Sequence, residues 1–497
     1  MPATTTPENR LVIVSNRLPI VLTRAADGRW QIEPGSGGLI NALAPVLRDR
    51  GGVWIGWPGV VEGEAGPDLE PLLAAAMHGA GYSLEPVILS AAERDKFYLG
   101  FANEVIWPLF HDLQSRCNFD PSYWAAYQAV NHKFAQAIAR IRRASDYIWV
   151  HDYHLMTLAR DLRALGVEAP IGFFLHIPFP PLDIFLKLPW RAQILHALLD
   201  YDLIGFQTIR DRHNFVQCVR TLRKDVAIRG KGQVIEARIG DRTVRLGSFP
   251  IGIDFQEFAR QAASKGVADM AWYIHEALPD RQLILGVDRL DYTKGIPERL
   301  NAFKAALQRF PDLRQRVTLI QVVVPSRTDI REYTDLKEEV ERLVGEINGQ
   351  FTQTGWVPIH YIYRHLDRTE LLAYYRTCEI ALITPLKDGM NLVAKEYCAC
   401  SLEQGVLILS EFAGAAAQLQ RGALMVNPYD VEGVADAIYR AWSMDWDERR
   451  ARMRSLRRSV REHDIFWWVD SFLRAAIASD LSAFPVLEEY IPAFEAR

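Results

Sequence analysis

Two cations that could bind phosphate, Arg289 and Lys294, lie five residues apart in the segment 288–295, which reads DRLDYTKG. The segment follows a short apolar run that is typical of a buried strand. An arginine presents a planar fork of donors and a lysine presents a compact charge, so together they can neutralise a diphosphate. Salt bridges with Asp288 and Asp291 are the structural alternative. The position beyond a strand end favours phosphate binding.

A second segment, residues 385–396, places two acids eight residues apart, Asp388 and Glu396. Gly389 lets the backbone approach a ligand closely, and the N–H groups of residues 390–392 open a predicted helix. Glu396 is expected about two turns into that helix. In this position Glu396 can accept hydrogen bonds from a ribose while Asp388 contacts sugar hydroxyls.

Polar and charged residues follow several other predicted strands at the point where each strand ends. They are Asn16 and Arg17 after 11–15, His151, Asp152 and His154 after 147–150, His176 after 171–175, and Arg327 after 318–324. A single residue of this kind is often a cap or turn residue. Their recurrence at one topological position predicts a ligand site, because ligands bind beyond the carboxyl ends of parallel strands.

The predicted loop 16–38 ends in the glycine-rich sequence GSGG at 35–38, before an apolar helical stretch. Such a sequence can hold phosphate through backbone N–H groups and a helix N-terminus. It is not G-x-G-x-x-G, because Ile40 occupies the third glycine position, and no G-x-x-x-x-G-K-[ST] occurs. Both a dehydrogenase and a phosphate-loop ATPase are therefore disfavoured.

The elements that must position these residues are short apolar strands alternating with helices. The runs that predict strands are 11–15, 147–150, 171–175, 283–287, 318–324, 380–384 and 406–410, and the stretch 123–141 has helical spacing. Strands that alternate with helices predict α/β sheets with helices on both faces. A chain of 497 residues is longer than one hydrophobic core usually grows, so two such sheets are expected.

The boundary between the two domains is predicted near residue 250, where a proline and a glycine follow a polar, charged stretch. The predicted domains are 1–250 and 251–463. The remaining residues, 464–497, contain the run IFWWV at 465–469, which is too apolar for a free tail. We expect this C-terminal helix to pack back on the first domain.

Composition and charge exclude several classes of function. A net charge of -4 gives no basic surface for nucleic acid, and the arginine-rich run 447–462 has helical spacing with interspersed acids, which favours a solvated helix face. No apolar run is long enough to span a bilayer, and the first residues lack a signal peptide pattern, so the predicted location is the cytoplasm.

The five cysteines are expected to be reduced core thiols. Neither HExxH nor a C-x-x-C pair occurs, so no metal and no cofactor are predicted.

From residue 14 to about residue 430, the sequence resembles the trehalose-6-phosphate synthases, a family of retaining glucosyltransferases. The resemblance is carried by VSNR at 14–17, WIGW at 54–57, HDYH at 151–154, FLHIPFP at 174–180, RLDYTKG at 289–295 and DGMNLVAKE at 388–396. It implies a GT-B architecture, in which two Rossmann-like, doubly wound domains face each other across a cleft. The N-terminal domain would bind the acceptor and the C-terminal domain the nucleotide sugar.

The resemblance also implies roles for individual residues. The acceptor glucose 6-phosphate would be bound by Arg17, Trp57, Tyr98, Asp152 and Arg327, with the two arginines on its phosphate. The nucleotide-glucose donor would be bound by Gly37, Gly38, His176, Arg289, Lys294, Asp388, Gly389, Met390, Asn391, Leu392, Val393 and Glu396. His176, Arg289, Lys294 and Asp388 are the predicted catalytic set. In such enzymes the acceptor attacks the face from which the leaving group departs, so neither a protein nucleophile nor a protein general base is assigned.

Two alternatives remain at this point. The first is an enzyme of the same fold with another acceptor, such as a glucosylglycerol-phosphate synthase or a pseudoglycosyltransferase. The second is a catalytically silent relative that binds sugar phosphates. The presence of both Arg17 and Trp57 favours glucose 6-phosphate, and UDP-glucose is the expected donor. The sequence leaves the donor base and a homo-oligomeric state open.

Overall fold

The computed structural model describes residues 10–25, 27–35, 38–326, 330–478, 481, 484 and 487–492. The chain divides into two compact units. The first comprises residues 1–250 and 468–487, and the second comprises residues 251–467 and 488–497. The chain therefore passes from one unit to the other near residues 250, 467 and 487.

The first unit contains a nine-stranded sheet and a separate β-hairpin. Its strands are β1 (Leu11–Arg17), β2 (Ile20–Arg24), β3 (Trp30–Pro34), β4 (Val53–Trp57), β5 (Ser83–Pro86), β6 (Tyr147–His151), β7 (Ile171–Leu175), β8 (Leu203–Phe206), β9 (Val226–Arg229), β10 (Val234–Ile239) and β11 (Arg242–Ser248). The sheet order is β5-β4-β1-β6-β7-β8-β11-β10-β9. All neighbours from β5 to β11 are parallel, whereas β10 is antiparallel to β11 and to β9.

The helices of the first unit lie between these strands. They are α1 (Gly38–Arg50), α2 (Leu69–Ala80), α3 (Ala91–Glu93), α4 (Trp107–Phe110), α5 (Pro121–Ile141), α6 (Leu158–Ala164), α7 (Leu182–Phe185), α8 (Arg191–Leu198) and α9 (Ile209–Leu222), with a π-helix over Arg94–Ile106. Helix α5 begins where Asp120 accepts a hydrogen bond from the Ser122 amide, with Pro121 in the first helical position. Its predicted apolar stripe is confirmed as core, since Tyr127, Phe134 and Ile138 are fully buried.

The predicted loop 16–38 is wrong over much of its length, because it contains the antiparallel hairpin of β2 and β3. Asp27-Gly28 is a sequence signal for a hairpin turn, and apolar and polar residues alternate after it in RWQIE at 29–33. The hairpin accounts for most of the segment between Arg17 and the glycine-rich sequence.

The second unit contains a six-stranded sheet that is parallel throughout. Its strands are β12 (Gln282–Arg289), β13 (Val317–Val324), β14 (Ile359–Tyr363), β15 (Ile380–Ile383), β16 (Val406–Ser410) and β17 (Leu424–Val426). Their order is β14-β13-β12-β15-β16-β17. If these six strands are numbered in chain order, the sheet order is 3-2-1-4-5-6, which is the order of a Rossmann fold. The six strands β5-β4-β1-β6-β7-β8 of the large sheet of the first unit follow the same order.

The second unit contains nine helices of the described residues, between residues 255 and 462. They are α10 (Phe255–Ala262), α11 (Lys265–Ala277), α12 (Ile296–Arg309), α13 (Arg331–Phe351), α14 (Arg368–Thr377), α15 (Leu392–Cys400), α16 (Ala416–Leu419), α17 (Val431–Ser443) and α18 (Trp446–Glu462). In the ranges that the structure describes, no helix has the length and apolarity needed to cross a lipid bilayer. All five cysteines lie in these ranges as free thiols, four of them buried and Cys117 partly buried.

The last helix, α19 (Ile465–Ile477), begins in the second unit and continues into the first. The Phe472 ring stacks on Trp149, with centroids 4.4 Å apart, and Trp468 lies 4.9 Å from the same ring. Arg245 donates hydrogen bonds to the carbonyl oxygens of Ala475 and Ala478, both at 2.6 Å. Aromatic packing and a capped C-terminal end thus fix this helix on the first sheet.

Candidate functional site

Among the parallel strands of each of the two large sheets the strand order reverses at one place, and predicted site residues lie beside it. The reversal in the second unit is between β12 and β15, and in the first unit between β1 and β6. Adjacent strands at such a point send their helices to opposite faces of the sheet, which opens a crevice at their carboxyl ends. Arg289 ends β12 and Arg17 ends β1.

At the reversal in the second unit, Lys294 forms an ion pair with Asp388, Nζ to Oδ2 2.6 Å. Lys294 follows β12 and Asp388 follows β15, and both side chains are largely buried. Of the acids considered as salt-bridge partners, Asp288 pairs with Arg299, and Asp291 accepts a hydrogen bond from the Thr293 amide. A cation suited to phosphate and a carboxylate suited to hydroxyl groups therefore lie side by side.

The carboxylate of Asp388 also shapes the turn that follows it. Its Oδ1 accepts a hydrogen bond from the Met390 amide at 3.1 Å, and its Oδ2 accepts one from Asn391 Nδ2 at 3.2 Å. Asn391 has φ 60°, in the left-handed region, and caps α15 by accepting from the Ala394 amide. Leu392 and Val393 form the first turn of α15.

Gly389 is approached closely by a second glycine. The Gly414 amide donates to the Asp388 carbonyl at 2.8 Å, and a Cβ on Gly414 would lie 1.8 Å from the Gly389 carbonyl oxygen. No side chain fits there, so Gly414 holds the turn at 388–390 in place. The sequence offered no signal for Gly414, which lies in the small-residue run AGAAA at 413–417.

Glu396 lies about one turn into α15 instead of the two turns expected, because the helix begins at Leu392. Its Oε2 accepts a hydrogen bond from the Tyr375 hydroxyl at 2.9 Å. Burial raises the pKa of the Glu396 carboxyl, and the hydrogen bond from Tyr375 opposes that shift. Tyr375 was not predicted from the sequence, where it reads as an ordinary residue of α14.

In the first unit, Arg17, Trp57 and Tyr98 come together. The Arg17 guanidinium lies 4.5 Å from the centroid of the Trp57 ring, and Tyr98 meets that ring edge-on at 5.6 Å. Trp57 is held by a hydrogen bond from its indole nitrogen to the Val60 carbonyl at 2.7 Å. Burial lowers the pKa of Arg17. A partly desolvated cation over an aromatic ring is suited to bind an anion.

Gly59 makes room for the Arg17 side chain. It has φ +99°, and a Cβ there would lie 2.6 Å from the guanidinium of Arg17. The sequence signal was the Pro58-Gly59 pair that follows β4, which predicts a turn but does not identify the residue that it contacts.

Asp152 and His176 also come together in the first unit. Asp152 Oδ1 accepts a hydrogen bond from the His176 amide at 3.2 Å. Asp152 has φ 75° and ψ 168°, a conformation that is almost confined to glycine. Backbone strain of this kind is characteristic of functional sites. Here it occurs at Asp152, the residue directly after β6.

Two of the predicted residues, Gly37 and Arg327, lie outside the described residues. Gly38 is the first residue of α1. The structure thus brings Lys294, Asp388 and the turn 388–391 together in the second unit. In the first unit it assembles one cluster of Arg17, Trp57 and Tyr98 and one of Asp152 and His176.

Comparison with known proteins identifies close relatives over nearly the whole chain. The family model of glycosyltransferase family 20 matches residues 9–478. A trehalose-6-phosphate synthase of Mycolicibacterium gilvum (strain PYR-GCK) is 43% identical over 486 residues, which are 96% of this chain and 95% of that protein.

Solved structures give the same result. An α,α-trehalose-phosphate synthase (UDP-forming) from Burkholderia xenovorans, in complex with glucose-6-phosphate, matches with a TM-score of 0.84 and 36% identity over 94% of this chain and 100% of that chain. A structure from E. coli bound with UDP-2-fluoro glucose matches with a TM-score of 0.83 and 36% identity over 94% of this chain and 99% of that chain. The predicted resemblance and the predicted α/β, GT-B fold class are confirmed.

Proposed function

The chain belongs to glycosyltransferase family 20, and on that premise we propose that it transfers glucose from UDP-glucose to glucose 6-phosphate. The products are α,α-trehalose 6-phosphate and UDP, and the configuration at the transferred anomeric carbon is retained. No cofactor takes part. We assign the reaction to the cytoplasm, where both substrates are expected.

In the proposed step, the bond between the anomeric carbon of the donor and the β-phosphate oxygen of UDP breaks. A new bond forms from that carbon to the anomeric hydroxyl oxygen of glucose 6-phosphate, on the same face. The proton of that hydroxyl passes to the departing phosphate oxygen. The transition state therefore combines a glucosyl cation with a diphosphate of growing negative charge, and the protein's main task is to stabilise that charge.

On the donor side, we assign the diphosphate to Arg289 and Lys294 and the glucose hydroxyls to Asp388. The observation that carries the assignment is the contact of Lys294 with Asp388 at the point where the strand order reverses. A diphosphate of higher charge than one carboxylate would compete for Lys294 and free Asp388 to accept from hydroxyls. Glu396, oriented by Tyr375, would accept from the ribose.

The remaining predicted donor contacts also belong to this proposal. The amides and side chains at Gly389, Met390, Asn391, Leu392 and Val393 form the turn and first helical residues beside Asp388. Positive helix N-termini favour phosphate, which supports their assignment to the donor. Gly37, Gly38 and His176 complete the proposed donor set.

On the acceptor side, we assign the phosphate of glucose 6-phosphate to Arg17 and Arg327, and its sugar to Trp57, Tyr98 and Asp152. The cluster of Arg17, Trp57 and Tyr98 supports this assignment, because a desolvated guanidinium binds a phosphate dianion bidentately. The ring surfaces beside it suit the apolar face of a hexose.

A substrate matrix tests the proposed function. The full chain is incubated with UDP-, GDP- or ADP-glucose and with glucose 6-phosphate, glycerol 3-phosphate or no acceptor. We expect nucleotide diphosphate release only with an acceptor, the highest rate with UDP-glucose and glucose 6-phosphate, and α,α-trehalose 6-phosphate as the product by NMR. Faster turnover with glycerol 3-phosphate would overturn the acceptor, and no acceptor-dependent release would identify a silent relative.

The contact between Gly59 and Arg17 leads to a prediction about the acceptor. In the Gly59→Ala variant the new methyl group must displace the Arg17 guanidinium. The variant should therefore lose about one charge-assisted hydrogen bond to the acceptor phosphate, and the KM for glucose 6-phosphate should rise about tenfold, which corresponds to about 1.4 kcal/mol. The KM for UDP-glucose should change little. Steady-state kinetics with each substrate varied in turn measure both values.

Gly63→Ala is the matched control for this prediction. Gly63 lies four residues further along the same segment and has φ +80°, and no atom of the described residues comes within 4 Å of an added Cβ. Both variants carry the cost of an alanine with positive φ, about 1 to 2 kcal/mol. An equal KM for glucose 6-phosphate in the two variants would remove the role of Gly59.

A further inference from the structure

The last described residues of the chain, 488–492, belong to the second unit and reach the edge of its sheet that carries the donor turn, residues 388–391. The Tyr490 hydroxyl donates a hydrogen bond to Glu411 Oε2 at 3.2 Å. Glu411 directly follows β16, so this contact is made at the carboxyl ends of the strands. Ligands bind beyond that edge in parallel sheets.

Two polar contacts of this segment differ in strength. Terminal residues are usually poorly ordered unless the fold ties them down, and Ile491 is 75% exposed, so burial of that side chain does not hold the segment. Glu488 forms an ion pair with Arg421, but both side chains are exposed and a pair of that kind contributes little. Of these two contacts, the hydrogen bond from Tyr490 to the partly buried carboxylate of Glu411 is therefore the stronger one.

Glu411 is the first residue of a loop, residues 411–414, that supports the donor turn. The Phe412 carbonyl accepts a hydrogen bond from the Asp388 amide at 3.2 Å, and the Gly414 amide donates to the Asp388 carbonyl at 2.8 Å. Asp388 is thus held on both sides of its peptide by this loop. A displacement of Glu411 therefore reaches Asp388 through the backbone of the next residue.

We propose that Tyr490 is a positioning residue for the donor, which holds Glu411 and through the loop 411–414 keeps the donor turn in place. The C-terminal residues would act on the nucleotide sugar through this loop and not by touching it. The effect on the donor rests on the proposed function. The anchoring of the donor turn follows from contacts within the second unit and does not depend on that function.

Hydrogen exchange of the full chain without ligand tests the anchoring. The Asp388 and Gly414 amides are hydrogen-bonded between the loop and the donor turn, so their exchange requires the two to separate. We expect Tyr490→Phe, which removes only the hydroxyl, to speed exchange in both segments about fivefold by mass spectrometry, the scale of one hydrogen bond. Tyr273→Phe is the matched control, because Tyr273 is an exposed tyrosine on α11 of the same unit. Equal exchange rates in the two variants would overturn the anchoring.

UDP binding and steady-state kinetics test the positioning role. We expect Tyr490→Phe to raise the Kd for UDP and the KM for UDP-glucose about fivefold, and to leave the KM for glucose 6-phosphate within about twofold. Glu411→Leu should have the same effect, whereas Glu411→Gln keeps an oxygen that accepts from Tyr490 and should recover most of the lost affinity. The double variant of Tyr490→Phe with Glu411→Leu should lose no more than either single variant, since both remove one hydrogen bond. An equal rise in the KM for both substrates would show a general loss of structure and overturn the positioning role.

Failure of the proposal and failure of the proposed function give different results. If Tyr490→Phe speeds exchange in the donor turn but binds UDP as tightly as the parent, Tyr490 holds the turn without positioning the donor, and the proposal is overturned. If the parent chain does not bind UDP at all, the proposed function fails, and hydrogen exchange alone decides whether Tyr490 holds the donor turn.

Discussion

Replacement of Arg289 by alanine should lower kcat by about 10² to 10³-fold, the cost of removing one group that stabilises developing charge in a transition state. Arg289 ends β12 beside the place where the strand order of the second unit reverses. Its charge would act on the diphosphate as that group departs, so the effect should appear in turnover. The KM for glucose 6-phosphate should stay within about twofold, because Arg289 is assigned to the diphosphate of the donor and not to the acceptor.

Arg289→Ala, at the end of β12, is the variant to measure. A Lys294→Ala variant would mix two effects, because it would also remove the ion pair between Lys294 and Asp388. Arg281→Ala is the matched control, because Arg281 precedes the opposite end of the same strand. Steady-state kinetics should give a parent-like kcat for Arg281→Ala. A kcat for Arg289→Ala within threefold of the parent would contradict the assigned role.

The central strands of both sheets could be predicted from the sequence, because a strand buried on both faces is a continuous apolar run. The runs at 171–175 and 406–410 have the bounds of β7 and β16. The strands at 226–248 were not predicted, since they carry charged residues in half-exposed positions, as in VIEARI at 234–239. The π-helix at 94–106 also has no apolar period that would reveal it.

The sequence predicted which residues lie at strand ends, but not which of them meet. Lys294 and Asp388 are 94 positions apart, and their contact depends on β12 and β15 being neighbours. Which strands are neighbours depends on the order of the strands in the sheet, and the spacing of residues along the chain does not predict that order. The same reason applies to Gly414 against Gly389, and to Tyr375 against Glu396.

Arg299→Ala should be the most destabilising of the substitutions considered, by about 3 to 5 kcal/mol, because it leaves a buried carboxylate without its cation. Arg299 is on α12, its side chain is fully buried, and its guanidinium pairs with Asp288 at the end of β12. It also donates to Gln321 Oε1 on β13 at 3.2 Å and to Thr384 Oγ1 after β15 at 3.1 Å. One side chain thus connects three adjacent strands at the edge that carries Lys294 and Asp388.

The measurement is the midpoint of thermal unfolding of the full chain by calorimetry. A loss of 3 to 5 kcal/mol corresponds to a fall of about 6 to 20 °C for a unit of this size. Arg309→Ala on the same helix is the control, since its ion pair with Asp436, at 2.9 Å, is exposed and should contribute at most about 1 kcal/mol. Arg299→Lys keeps the charge but cannot reach Asp288, Gln321 and Thr384 together. Its unfolding midpoint should therefore lie between the midpoints of Arg299→Ala and Arg309→Ala. An Arg299→Ala midpoint no lower than that of Arg309→Ala would show that the buried network does not stabilise this edge of the sheet.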